Sequence, residues 1–131
     1  MRAPLVVVLL LPVGCASGAR FAAFDVPPER AAYLTVIRSS VAPICCAIPL
    51  FVDNRQVVNL RMRQFATVTI PAGERVVSIP KGGYTFNFLT FTAAPGEHYY
   101  VVMDVSYFET DPRLYPASLA EPMLNGLHRI E

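Results

Sequence analysis

Phe65-Ala66-Thr67-Val68-Thr69-Ile70, followed by Pro71-Ala72-Gly73 and then Arg75-Val76-Val77-Ser78-Ile79, is the stretch whose reading decides the fold. Its first part alternates, with Ala66, Val68 and Ile70 on one face and Thr67 and Thr69 on the other. Successive strand side chains point to opposite faces, so one face of this segment is made for a core and the other for water. Pro71-Ala72-Gly73 turns the chain, and the β-branched run from Arg75 continues as a further strand.

The same pattern extends in both directions. Upstream, Tyr33-Leu34-Thr35-Val36-Ile37-Arg38 and Ile48-Pro49-Leu50-Phe51-Val52 read as strands, and Pro49 must sit at an edge or near a strand start. Asp53-Asn54-Arg55 supplies turn chemistry leading into Gln56-Val57-Val58-Asn59-Leu60. Downstream, Lys81-Gly82-Gly83 makes a tight turn into Tyr84–Thr92, and Pro95-Gly96-Glu97 turns again into Tyr99–Val105. In that last run Tyr99, Val101, Met103 and Val105 share one face, and Tyr100, Val102 and Asp104 the other. About seven short strands with turn signals every 8–12 residues predict an all-β fold, an antiparallel β-sandwich. No helical pattern alternates with these strands, which excludes a parallel α/β sheet. Ser118 and Glu121 have capping-box spacing ahead of Met123, Leu124 and Leu127, predicting a short C-terminal helix with Pro122 in its first turn.

Composition agrees with one globular domain. The chain has 131 residues, and its apolar fraction of 53% is raised by an N-terminal leader. Twelve prolines and seven glycines favour turns over long helices. Net charge is +1, and zero once Arg2 leaves with the leader; the basic residues, all arginine but Lys81, are scattered. A nucleic-acid binder shows a basic face and a high pI, so nucleic acid is not an expected partner.

The leader is the run Leu5–Leu11 behind Arg2, between Pro4 and Pro12. A membrane span needs about 20 apolar residues, so this run is too short to be one but suits the apolar region of an export signal. A buried strand at Val6-Val7-Val8 is the structural alternative, and the lack of alternation argues against it. Leu11-Pro12-Val13-Gly14-Cys15 resembles the lipobox of bacterial lipoproteins in Val13, Gly14 and Cys15, with Pro12 standing where leucine is usual. Ala16-Ser17-Gly18 offers a competing cut that would release a soluble protein from Ala19. An odd cysteine in an exported chain favours the lipobox. The domain plan is therefore a signal peptide over residues 1–14, a lipid-anchored tether over 15–31 and a β-sandwich domain over 32–131. The resemblance implies lipidation of Cys15 with up to three acyl chains, and two or more anchor stably at about 0.8 kcal/mol per buried methylene. The same resemblance, to lipoproteins like those of enteric bacteria, implies from Ala16 in place of aspartate sorting to the outer membrane, with the domain facing the periplasm.

The order of features in the body is similar to an uncharacterised family of bacterial envelope lipoproteins and, more loosely, to PEGA-type β-sandwich domains. The likeness rests on the Tyr33–Arg38 strand, Phe51-Val52-Asp53-Asn54-Arg55-Gln56-Val57, Thr69-Ile70-Pro71-Ala72-Gly73-Glu74 and Ala93-Ala94-Pro95-Gly96-Glu97-His98-Tyr99-Tyr100-Val101. It covers about Ala32 to Phe108 and implies a fold and a compartment, but no catalytic residues.

Residues that could carry chemistry are few. His98 and His128 lack metal-ligand spacing, so no zinc site is expected. Cys45-Cys46 admits two buried free thiols, a disulfide strained by the adjacency of the two residues, or redox chemistry, with buried thiols preferred. Asp104, Glu109 and Asp111 read as a solvated loop rather than a glycosidase pair, with Asp111-Pro112 initiating a turn. Tyr99, Tyr100, Tyr107 and Phe108 form either a binding strip or cross-strand packing partners. The expectation is a non-enzymatic binding or structural module with no cofactor, held to the membrane by its anchor and facing an envelope protein or glycan. Its rival is a soluble periplasmic or secreted binding module beginning near Ala19.

Overall fold

In chain order the strands are β1 (Ala19–Arg20), β2 (Ala31–Arg38), β3 (Ile48–Val52), β4 (Arg55–Leu60), β5 (Gln64–Pro71), β6 (Gly73–Gly82), β7 (Thr85–Ala93), β8 (His98–Val105), β9 (Thr110–Tyr115) and β10 (His128–Arg129), with helix α1 (Ala117–Met123) before the last. This computed structural model describes residue 3 and residues 18–39, 46–82, 84–105 and 110–131. The expectations placed on residues 4–17, including the signal peptide and Cys15, lie outside the described residues. So do those on Cys45, Gly83, Tyr107, Phe108 and Glu109.

The strands form two five-stranded sheets, ordered β1-β4-β3-β6-β7 and β10-β5-β2-β8-β9. The expected sandwich is present, and the alternation that predicted it sets the core. Ala66, Val68 and Ile70 are buried between the sheets, against Leu34 and Val36 of β2, Leu50 and Val52 of β3, and Val101 and Met103 of β8. Pro49 is tolerated because β6 pairs only with Phe51 and Val52 of β3, leaving the strand start unpaired on that side. Asp53 and Asn54 make the β3–β4 hairpin with φ of 48° and 63°, a conformation Asp and Asn adopt more readily than other side chains. The Asp53 carboxylate also accepts from Val76 N at 3.0 Å and pairs with Arg75, tying the hairpin to β6.

Several details differ from the expectation. Two pairings are parallel, β2 with β8 and β10 with β5. After β7 the chain crosses back and lays β8 on the free side of β2 in the same direction, so the second sheet is mixed. Asp111-Pro112 does not initiate a turn: it lies within β9, an edge strand, where a missing N–H costs no ladder bond. The C-terminal helix is present but the capping box is not. Pro116 is its N-cap, with no side-chain cap. Pro122 therefore falls beyond the first turn, where it cannot donate to the Ser118 carbonyl, and the helix ends at Met123. The helix buries Ala120 over Ile37, Tyr100 and Val102, making a second, smaller core on the outer face of the second sheet.

The segment expected to be a tether is, from Gly18 onward, part of the domain. Ala19 and Arg20 pair with Asn59 and Val58, and Phe21 N donates to Val57 O at 2.9 Å. Arg55 donates to Ala23 O and lies over the Phe24 ring at 5.2 Å, while Phe24 packs on the core. The cause is β4: without β1 its outer edge would leave backbone groups unpaired beside an apolar core.

Register gives the sandwich two distinct ends. At one, Gly18 leads into β1, β2 finishes at Arg38, β4 finishes at Leu60, and β5 begins at Gln64 opposite Arg38. The β6–β7 hairpin, with Gly82 opposite Thr85, turns at the same end. Arg38 closes the gap between the sheets there. Among the described residues it is the largest fully buried side chain, and its Nη1 donates to Leu60 O at 2.6 Å and Cys46 O at 2.9 Å.

Candidate functional site

Alternation along β7 sends Asn87, Leu89, Phe91 and Ala93 inward and Phe86, Phe88, Thr90 and Thr92 outward. Phe51 of β3, Ser78 of β6 and Phe88 of β7 form a row across the outer face of the first sheet, because Phe51 pairs with Ser78 and Ser78 with Phe88. Small Ser78, itself buried, becomes the floor of a cleft of about 190 Å³ lined by Phe51, Asn54, Phe86 and Phe88. The Phe51 and Phe86 rings meet edge to face at 6.1 Å, and Phe86 and Phe88 are tilted at 6.4 Å. Phe88 remains 65% exposed, and Tyr84, beyond Phe86 at the hairpin, is wholly so. Grouped apolar exposure with a few polar atoms beside it makes this cleft the candidate site. Aromatic faces flanked by an amide and a hydroxyl suit a ligand that has both apolar and hydrogen-bonding surface.

Of the two readings open for Tyr99 and Tyr100, binding strip or packing partners, the structure bears out the second. Tyr99 and Tyr100 lie on opposite faces of β8: Tyr99 packs against Phe91 at 5.1 Å and its hydroxyl accepts from Ala94 N, whereas Tyr100 is buried under α1. Both are packing partners. The signal for the actual strip was the period-two series Tyr84, Phe86, Phe88, which apolar Leu89 and Phe91 on the opposite face obscure.

His98 sits in a polar network on the outer face of the second sheet. Its Nε2 is 2.6 Å from Thr35 Oγ1, which is 2.7 Å from Thr67 Oγ1, so one chain of hydrogen bonds crosses β8, β2 and β5. The ring stacks on Tyr100 at 4.6 Å, and Tyr100 donates to Glu121 of α1 at 3.2 Å. Burial, then the hydrogen bond and charge of Glu121, push the Tyr100 hydroxyl above its ordinary pKa. Burial lowers the His98 pKa, with Glu121 opposing more weakly, so the imidazole is neutral at pH 7. Thr35 is only 1% exposed, so its hydroxyl cannot reach a substrate, and the network joins strands rather than forming a nucleophile and its base. Because His98 binds protons more weakly folded than unfolded, its contribution to stability is complete above about pH 6.5 and lost as pH falls below it. Thermal denaturation between about pH 7.5 and about pH 5.5 should therefore show a falling Tm. His98→Gln, which can still bond Thr35 but does not titrate, should flatten that fall.

Cys46 is exposed and disulfide-bonded, which corrects the expectation of buried free thiols. It precedes β3 in a bend, where its backbone carbonyl accepts from Arg38. The chain has three cysteines, so the partner of Cys46 within it is Cys15 or Cys45. Asp104 and Asp111 are directly opposite on β8 and β9, in strands rather than the expected loop. Arg113, 3.3 Å from Asp104, offsets their repulsion. His128 is exposed in β10, away from His98.

A second cavity of about 310 Å³ lies between the Phe21–Phe24 segment with Arg20 and the side of β5 at Val68 and Thr69, closed by Glu131. Among the described residues, no cluster of three or more His, Cys, Asp or Glu could hold a metal ion, and no helix is long and apolar enough to cross a membrane. No family model, curated protein or solved structure matches the chain.

Proposed function

We propose that the chain is an exported lipoprotein of the bacterial envelope, anchored in the outer membrane through Cys15. Its β-sandwich then acts in the periplasm as a binding or structural module without catalytic activity. The observation that carries this reading is the coincidence of leader end and domain start. Leu5–Leu11 and the lipobox-like Val13-Gly14-Cys15 are followed, from Ala19, by backbone already paired with β4. The aromatic cleft of Phe51, Phe86 and Phe88 supplies a surface for an envelope protein or glycan. The hydrogen-bond chain from His98 through Thr35 to Thr67 joins three strands, which supports a non-enzymatic role. The likeness to PEGA-type sandwiches belongs to the same reading and rests on the order of strands and turns.

A second reading, a soluble module cut before Ala19, is favoured by one observation. Ala19 is the first residue of β1, so that cut removes no strand. Mass spectrometry of the mature protein, with thiol alkylation before and after reduction, separates the two. Lipidation of Cys15 leaves Cys45 as the only partner for Cys46 within the chain. The expected protein therefore carries a diacylglyceryl thioether on Cys15, takes up no label before reduction and labels at Cys45 and Cys46 after it. An N-terminus at Ala19 supports the soluble module instead. A Cys15–Cys46 disulfide, seen as label on Cys45 alone before reduction, overturns lipid anchoring.

A further inference from the structure

The end of the sandwich that receives the chain at Gly18 differs in charge and polarity from the other end. Among the described residues it carries Arg61 and Arg63 in the β4–β5 turn and Lys81 near the end of β6, together with Met62, 41% exposed, and the fully exposed Tyr84. Asp104 and Asp111 lie at strand ends nearby, and Asp104 is paired with Arg113. Among the described residues, the opposite end carries Asp25, Glu29, Asp53, Glu74 and Glu97 against Arg30, Arg55 and Arg75. The described residues are thus polarised along the strands, basic and apolar at the Gly18 end and acidic at the other.

Gly18 lies close against β4 and the start of β5 at that end. A Cβ on it would lie 2.8 Å from the Asn59 carbonyl oxygen and would also collide with the Gln64 side chain, which itself accepts from Arg61 N at 2.8 Å. Three residue steps separate Gly18 from Cys15, a reach of about 10 Å at most. A lipid on Cys15 therefore cannot hold the domain away from the bilayer, and it brings this particular end down to the headgroups.

We propose that the Gly18 end is a membrane-facing surface, whose basic side chains meet anionic phospholipid headgroups while Tyr84 and Met62 enter the interface. The proposal rests on lipid anchoring at Cys15 for its geometry, but the surface chemistry belongs to the folded domain. An aromatic ring with a polar tip suits the headgroup level, and each Lys or Arg near an anionic surface contributes about fivefold in binding. The acidic far end is repelled by the same surface, so charge and anchor favour one orientation. The cleft, about four residues along β7 from Tyr84, then stands about 14 Å from the tip and opens sideways, parallel to the membrane.

The chain contains no tryptophan, so a single introduced one reports its own depth. Tyr84→Trp and Ala94→Trp, the latter at the acidic end, are reconstituted as the mature lipid-bearing protein in vesicles of phosphatidylglycerol and phosphatidylcholine containing brominated lipid. Quenching of Tyr84→Trp fluorescence with none for Ala94→Trp supports the orientation; equal quenching, or none at position 84, overturns it. The mass of Cys15 decides anchoring separately. If the protein proves unacylated, the released chain is added to the same vesicles. Binding there that falls about 25-fold when Arg63→Gln and Lys81→Gln are combined supports the surface without the anchor. No binding, or binding indifferent to both substitutions, overturns it. Circular dichroism of each variant confirms that the fold persists.

Discussion

Leu34→Ala is expected to lower stability by about 3–4 kcal/mol, seen as a fall in Tm of about 15–20 °C or an equivalent shift of the urea midpoint. Leu34 is fully buried at the middle of β2, opposite Val68 of antiparallel β5 and Tyr99 of parallel β8. Its side chain faces the opposing sheet, within the cluster that includes Leu50, Val52 and Ile79. Two hydrogen-bonded ladders hold the backbone on either side, so the walls of the cavity cannot close around a missing isobutyl group. A cavity that cannot collapse places the cost toward the upper part of the range for this substitution. Leu89→Ala, on edge strand β7 and only partly buried, should cost less than half as much because its surroundings can relax. Equal losses for the two variants would show that β2 is not the centre of its sheet.

The centrality of β2 is what sequence could not convey. Alternation and turn residues locate the long strands within two or three residues, because each depends on side chains close together along the chain. Pairing does not. β2 and β8 are separated by most of the domain, and their parallel alignment follows only once β3 to β7 have crossed between sheets. The helix was legible from its apolar residues, but its start was not. Pro116 limits the backbone more strongly than the Ser118 and Glu121 side chains can.

The surface was less legible than the core for a related reason. In β5 one face is apolar and one polar, so alternation identifies the inner face. In β7 both faces are apolar, Phe86 and Phe88 against Leu89 and Phe91, and only the packing of β6 and β9 decides which pair is covered. The cleft was therefore invisible although its residues were in view. The tether failed differently: Ala19 to Phe24 carries little strand signal of its own and is ordered by the open edge of β4. That ordering shortens the link between Cys15 and the domain and gives the membrane-facing end its geometry.

Arg38 is the second case in which position overrides residue type. Arginine at a strand end normally faces water. Its parity with Leu34 and Val36 nevertheless directs it inward, and it is 0% exposed. Nη1 serves two carbonyls, but among the described residues Nε and Nη2 have no hydrogen-bond partner. Burial, and then the nearby charge of Arg61, lower its pKa. Two opposing effects follow from this arrangement. The guanidinium fills the end of the core and satisfies Leu60 O and Cys46 O, while desolvation of its charge costs several kcal/mol. Arg38→Ala removes the packing and both donors, opens a cavity between the sheets, and is expected to destabilise by about 3 kcal/mol or more. Arg38→Met retains most of the volume and eliminates the buried charge. Its relief of desolvation offsets the two lost hydrogen bonds, so its cost should stay within about 1–2 kcal/mol. Urea denaturation of both variants checks the pair. If Met is as damaging as Ala, the hydrogen bonds to Leu60 and Cys46, rather than volume, hold this end closed. If neither is damaging, the end is not sealed by Arg38 at all. The expected gap between the two assigns the side chain its role as an apolar filler with one useful nitrogen.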